Sequence, residues 1–211
     1  MENYRTNKII DVLKMLKYIG FNEFDSSLLA EYPFENLIDE IKTCTKCDLH
    51  KKRNNVVFGE GSFDADIMII GEAPGRDEDI QGIPFVGRAG KKLRDMFTAA
   101  GIDEDDIFIT NVVKCRPPGN RNPKPIEMKK CRPYLIKQIE MIKPKVLVLL
   151  GNIALSLVTG APSGITKMRG KSLEYLSCKA IPTFHPAYVL RNPNSEKTVV
   201  EDFKKVVRSI S

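Results

Sequence analysis

The chain alternates short, unbroken apolar runs with stretches in which apolar residues recur every three or four positions. Asp66-Ile67-Met68-Ile69-Ile70-Gly71 is a run of the first kind, closed by a glycine. A strand covered on both faces needs apolar side chains at consecutive positions, so this run predicts a buried parallel strand. Ile107-Phe108-Ile109-Thr110, Val146-Leu147-Val148-Leu149-Leu150-Gly151 and Ala180-Ile181-Pro182-Thr183-Phe184 repeat it. Helix-spaced apolar positions separate the runs: Leu93, Met96, Phe97 and Ala100, then Tyr134, Leu135, Ile139 and Ile142, then residues 153–158. Ile9, Val12, Leu13 and Leu16 predict a helix over residues 8–19, and Leu37, Ile38 and Ile41 another over 34–42. Strand–helix alternation of this kind predicts an α/β protein, a parallel sheet with helices on both faces. In such sheets the ligand site lies beyond the carboxyl ends of the strands, here Glu72, Asn111, Gly151 and His185.

Composition sets the scale. At 211 residues, 42% hydrophobic and 28% charged, the chain can bury a full core. It is read as an N-terminal helical extension over residues 1–42 and one domain over 43–211. No apolar stretch is long enough to cross a bilayer, and Met1-Glu2-Asn3-Tyr4-Arg5 opens a charged segment without a signal-peptide core, so the expected location is cytoplasmic with no membrane partner. A net charge of +6 mildly favours a polyanionic partner. In an apparently cytosolic protein, five cysteines read as ligands plus one spare, not as disulfides. The ligand candidates are Cys44-x2-Cys47 and Cys115-x15-Cys131; Cys178 reads as a buried small hydrophobe.

The strand ends carry the candidate chemistry. Gly71-Glu72-Ala73-Pro74-Gly75 lacks the Lys-Ser/Thr of a phosphate-binding loop and is not GxGxxG, which argues against a nucleotide site. It can bring backbone N–H groups to a flat ligand and place Glu72 beside it. Pro84-Phe85-Val86-Gly87-Arg88-Ala89-Gly90 sets an aromatic between glycines, a core residue or a stacking platform for a base. Asn111 offers a donor and an acceptor at a strand end, suited to a pyrimidine edge or to a strand cap. Cys115-Arg116-Pro117-Pro118-Gly119-Asn120-Arg121-Asn122-Pro123 is rigid, basic and not helical, a candidate phosphate-facing loop. His185-Pro186-Ala187-Tyr188-Val189-Leu190-Arg191 puts one of only two histidines at a strand end. The other, His50, lies in a basic run read as solvated surface.

In this order the motifs closely resemble a family 4 uracil-DNA glycosylase, the thermophilic-type iron–sulfur branch. The resemblance covers about residues 44–191. It implies a three-layer α/β/α sandwich around a central four-stranded, mainly parallel sheet. It also implies a monofunctional enzyme that flips uracil out of single- or double-stranded DNA and hydrolyses its N-glycosidic bond, leaving an abasic site. Cys44, Cys47, Cys115 and Cys131 would hold a structural 4Fe–4S cluster. Gly71, Glu72, Ala73, Phe85, Asn111 and His185 would bind the base, with neutral His185 donating to uracil O2 as charge develops. Arg116, Asn120, Arg121, Tyr188 and Arg191 would contact DNA, with Leu190 or Val189 as an apolar wedge.

One departure bears on mechanism. The classical branch of uracil glycosylases carries an aspartate where this chain has Ala73; family 4 lacks it too. That leaves Glu72 and, second, Glu78 as candidates to orient water. Residues 117–125 contain no histidine, so product release is expected and not covalent trapping. The expected enzyme is a monomer. The N-terminal segment is open between docking on a sliding clamp and packing beside the cluster. Two rival classes follow from the cysteines alone: a non-catalytic zinc or iron–sulfur nucleic-acid-binding protein, and a redox-active iron–sulfur carrier.

Overall fold

The computed structural model describes residues 33–160 and 164–210. The predicted helix over 8–19 lies outside them. Residues 37–211 make one compact unit.

All four apolar runs are strands: β2 (Ile67–Gly71), β3 (Ile107–Asn111), β4 (Val146–Leu150) and β6 (Cys178–Thr183). Every residue of β2, β3 and β4 is buried, as continuous apolar runs require when helices cover both faces. The four pair in parallel. Two short antiparallel strands at the edges, β1 (Glu60–Gly61) and β5 (Leu173–Tyr175), extend the sheet to six in the order β1-β3-β2-β4-β6-β5. The expected four-stranded parallel core is therefore present with two additional edge strands. Both are too short to carry a period, and β1 pairs through its backbone alone.

The helices are α1 (Pro33–Lys42), α2 (Arg76–Gln81), α3 (Arg88–Ala100), α4 (Pro125–Ile142), α5 (Gly151–Thr159), α6 (Ile165–Met168), α7 (Pro186–Arg191) and α8 (Glu196–Ile210). Helix α4 begins nine residues before the apolar spacing that signals it, so Cys131 sits within the helix. Pro133 lies inside α4 on an exposed turn, where the lost N–H donor is tolerated. The loop expected to be non-helical contains only a 3-10 turn, Pro118–Asn120.

Two apolar groupings anchor the layers. On one face Phe97 of α3 meets Phe203 of α8 with ring centroids 5.3 Å apart. Elsewhere Leu37, Ile41 and Tyr134 form a separate buried cluster, against which Cys44 and Cys131 pack. Fully burying one such side chain stabilises a fold by about 1.5–3 kcal/mol.

Strand order reverses between β2 and β4: from β2 the chain goes first to β3 on one side, then to β4 on the other. That reversal opens a crevice at the carboxyl ends of the central strands.

Candidate active site

A cavity of about 430 Å³ occupies this crevice, lined by Glu72, Glu78, Phe85, Asn111, His185 and Tyr188 among others. Of the predicted base-binding residues, Glu72 and Ala73 come from beyond the end of β2, Asn111 from β3, His185 from beyond β6, and Phe85 from the loop between α2 and α3.

Register positions the amide. Gly71 and Asn111 are partners at the ends of β2 and β3. A Cβ on Gly71 would fall 2.4 Å from Asn111 Oδ1 and 2.6 Å from Phe85 Cζ, so only glycine leaves room for both groups. Asn111 is 2% exposed, and among the described residues its Oδ1 is buried with no hydrogen-bond partner. An unmet buried acceptor costs about 1–3 kcal/mol. Orphans of that kind concentrate where a ligand completes the bonding.

Phe85 stands beside it in an unusual conformation. Its φ is 52°, left-handed space that costs a bulky residue about 1–3 kcal/mol. Arg94 Nη1 donates to its carbonyl at 2.6 Å. A Cβ on Gly90 would fall 1.5 Å from that same oxygen. The glycine of the PFVGRAG segment therefore admits the aromatic's backbone, and Arg94 fixes it. The ring lies 5.8 Å from the His185 ring at 31°, so the two form adjoining walls.

His185 caps α7. Its Nδ1 accepts the Ala187 N–H at 3.1 Å, which assigns the proton of the neutral ring to Nε2. Burial, with the Arg191 charge adding to it, pushes its pKa down to about 4. At neutral pH the ring is an uncharged donor. Beneath it, Thr183 Oγ1 donates to Asp202 at 2.8 Å, and Arg169 pairs with Asp202 through its Nε at 2.9 Å. This buried clamp on the end of β6 was not foreseen from the sequence.

The two carboxylates differ. Glu72 lines the cavity half-buried. Its carboxylate has no hydrogen-bond or ion-pair partner among the described residues, and burial raises its pKa. Glu78 is engaged: Oε1 accepts the Gly87 N–H at 2.9 Å, and a Cβ on Gly75 would meet Oε2 at 2.5 Å. It ties α2 to the PFVGRAG segment. The neighbouring Asp79 is 1% exposed and accepts from Asn54 N at 2.9 Å and Nδ2 at 2.5 Å, a purely structural role. Among the described residues the Ala73 N–H has no acceptor.

Of the residues expected on DNA, Asn120, Arg121, Tyr188 and Arg191 line the cavity, while Arg116 and Leu190 do not. Arg116 Nε donates to Asn120 Oδ1 at 2.7 Å. The Arg121 guanidinium grips Glu127 through bonds of 2.8 and 2.6 Å, and Glu127 also accepts the Lys124 N–H at 2.6 Å. Its first task is to hold the loop on α4. Tyr188 stacks on Phe184 at 4.7 Å and is 39% exposed. Of the two wedge candidates, Val189 is 1% exposed and committed to the core; Leu190 is partly exposed.

Cys44, Cys47, Cys115 and Cys131 line a second cavity together with Tyr134. All are free thiols. Arg53 Nη1 donates to Cys115 Sγ at 3.3 Å and to the Cys44 carbonyl at 2.9 Å. The Lys114 N–H donates to Cys131 Sγ at 3.4 Å. Burial raises the Cys47 and Cys115 thiols and takes Cys131 to about 11. Among the described residues no three ligand-type side chains are grouped tightly enough to share one ion. His50, assigned to solvated surface, instead lines this cavity. Cys178 lies apart, buried at the start of β6.

The doubly wound crevice thus holds an orphan amide, a neutral histidine donor and an aromatic wall at its strand ends. Residues 58–208 match the uracil DNA glycosylase superfamily. The chain is 49% identical over 175 residues to a type-4 uracil-DNA glycosylase of Thermotoga maritima, covering 81% of this chain and 91% of that protein. It is 44% identical to the type-4 uracil-DNA glycosylase of Archaeoglobus fulgidus, covering 82% and 90%. Against that of Sulfurisphaera tokodaii identity is 48%, covering 82% of each chain. The chain belongs to the uracil DNA glycosylase superfamily, in its type-4 branch. No helix among the described residues is long and apolar enough to cross a membrane.

Proposed function

We infer that this chain excises uracil from DNA by hydrolysing the N-glycosidic bond, the opening step of base excision repair. The observation that carries the reading is the buried, partnerless Asn111 Oδ1, set over Gly71 in a cavity shared with Phe85 and His185.

A flipped uracil presents an N3–H donor flanked by two carbonyl acceptors. Asn111 Oδ1 accepts N3–H while Nδ2 donates to O4. Phe85 packs on the ring. His185 Nε2–H donates to O2, where negative charge grows as the C–N bond breaks; a neutral donor held in a dry site stabilises that charge without moving solvent. The Ala73 N–H adds a second donor at the same end. Cytosine turns N3 into an acceptor and O4 into an amino group. It therefore faces Asn111 with both groups reversed, a mismatch that rejects an analogue by about 10⁴-fold.

Glu72 is the water-orienting carboxylate, because it is free at the cavity wall while Glu78 is bound to Gly87. Tyr188, Asn120 and Arg191 line the entry for the DNA strand, Leu190 is the wedge, and Arg116 and Arg121 order the loop between Cys115 and Cys131. Excision on oligonucleotides carrying U·G, U·A and single-stranded U tests the reading. Asn111→Ala and His185→Ala should each lose about 100-fold or more in single-turnover rate.

The four cysteines hold a 4Fe–4S cluster with a structural role. Their chemistry fits: thiolates are the ligands of such clusters, all four thiols line one cavity, and two N–H groups already point at their sulfurs. When bound, the cluster supplies cross-linking. The segment before α2, the residues after Asn111 and helix α4 are tied by it into one frame. Broad visible charge-transfer absorption with matching iron and sulfide content checks this; a colourless protein with one zinc contradicts it.

A further inference from the structure

Lys114 is the one lysine wholly enclosed in the described interior, 1% exposed, and neither base recognition nor cluster binding uses its side chain. Its Nζ donates to Thr110 Oγ1 at 2.5 Å, to the Asn111 carbonyl at 2.8 Å and to Gln138 Oε1 at 2.5 Å. Each acceptor is itself oriented. Thr110 Oγ1 donates onward to the Phe58 carbonyl at 2.8 Å, and Gln138 Nε2 donates to the same oxygen at 2.9 Å. The lysine's main chain is also fully used: its N–H reaches Cys131 Sγ, and its carbonyl accepts the Val57 N–H at 2.8 Å.

This places one residue between the two sites. Asn111 is the last residue of β3, so its carbonyl stands where the ladder to β2 ends. The Lys114 Nζ holds that carbonyl from the side of α4. We propose that Lys114 is a positioning residue for uracil recognition: it sets the depth of the Asn111 amide in the base pocket and refers that depth to the thiol-bearing frame of Cys131. The proposal rests on Asn111 being the base-reading residue. A displacement of about 1 Å at such a group can cost about 100-fold in rate.

The test is single-turnover uracil excision, affinity for DNA carrying an abasic-site analogue, and thermal unfolding, for Lys114→Met, the double variant Lys114→Met/Gln138→Leu, Val199→Ala and Asn111→Ala. Val199, buried in α8 and not part of the cavity lining, supplies a destabilised variant. Lys114→Met should lose about 100-fold in rate and bind abasic DNA within roughly threefold of wild type, a split that Val199→Ala does not reproduce. The double variant removes the amine donor together with an acceptor, so thermal stability should return toward wild type while the rate stays low. Should Lys114→Met fail to fold, the double variant carries the decision. A folded variant of either kind with wild-type rate overturns the proposal, as does recovery of rate together with stability. If Asn111→Ala also keeps wild-type rate, the base-reading assignment itself has failed, which is a separate result.

Discussion

Gly71 and Asn111 face each other across adjacent parallel strands, and the space left by the absent Cβ of the first is the space occupied by the amide oxygen of the second. The strand-end glycine therefore sets where the amide and the Phe85 ring can stand. Gly71→Ala should displace both the Asn111 amide and the Phe85 ring. Single-turnover excision should fall by about 100-fold or more, with the fold retained by circular dichroism.

The two carboxylates should separate by mutation. Glu72→Gln removes a free carboxylate from the cavity wall and should lower the single-turnover rate by about 10²-fold or more. Glu78→Gln keeps an oxygen that can accept the Gly87 N–H and should stay within about tenfold of wild type. Comparable loss in both variants would assign the water-orienting role to the pair.

The pH profile has a defined sign. Burial raises Glu72 above the ordinary carboxylate value, whereas His185 stays neutral down to about pH 4. As pH falls from neutrality, Glu72 protonates first and the rate drops while His185 is still an uncharged donor. The acid limb should therefore lie above the ordinary glutamate pKa and disappear in Glu72→Gln. A limb near the ordinary histidine value, lost in His185→Gln, would contradict this.

Removing one cluster thiol should act on stability before chemistry. Cys131→Ala also deletes the acceptor of the Lys114 N–H. Visible absorption should vanish and Tm should fall, with loss of protection in residues 116–123 by hydrogen exchange. Excision should fall as a consequence, because Lys114 ties the Asn111 carbonyl to the frame that carries Cys131.

The sheet was legible because strands buried on both faces must be apolar at consecutive positions, and all four runs obey that. Asn111, Glu72 and His185 were legible because strand ends are where an α/β crevice forms. Other parts were hidden for physical reasons. Helix α8 has helical spacing in Val199, Phe203 and Val206, all buried, but no motif there marks its contact with the site. Lys114 was invisible: a charge in a sequence signals surface, and only the fold shows three acceptors closing around it. Phe85 left two readings open, core residue or base platform; it is buried and also forms part of the cavity wall. Its left-handed backbone depends on Arg94 and Gly90, which sequence spacing does not reveal.

The central claim is that the Asn111 amide reads uracil from its place over Gly71. Single-turnover excision of matched uracil and cytosine oligonucleotides by wild type and Asn111→Asp tests it most directly. The aspartate replaces the donor that meets uracil O4 with an acceptor, so uracil excision should fall by about 100-fold or more and the uracil-to-cytosine rate ratio should collapse with it. Wild-type uracil excision with an unchanged ratio would contradict the account.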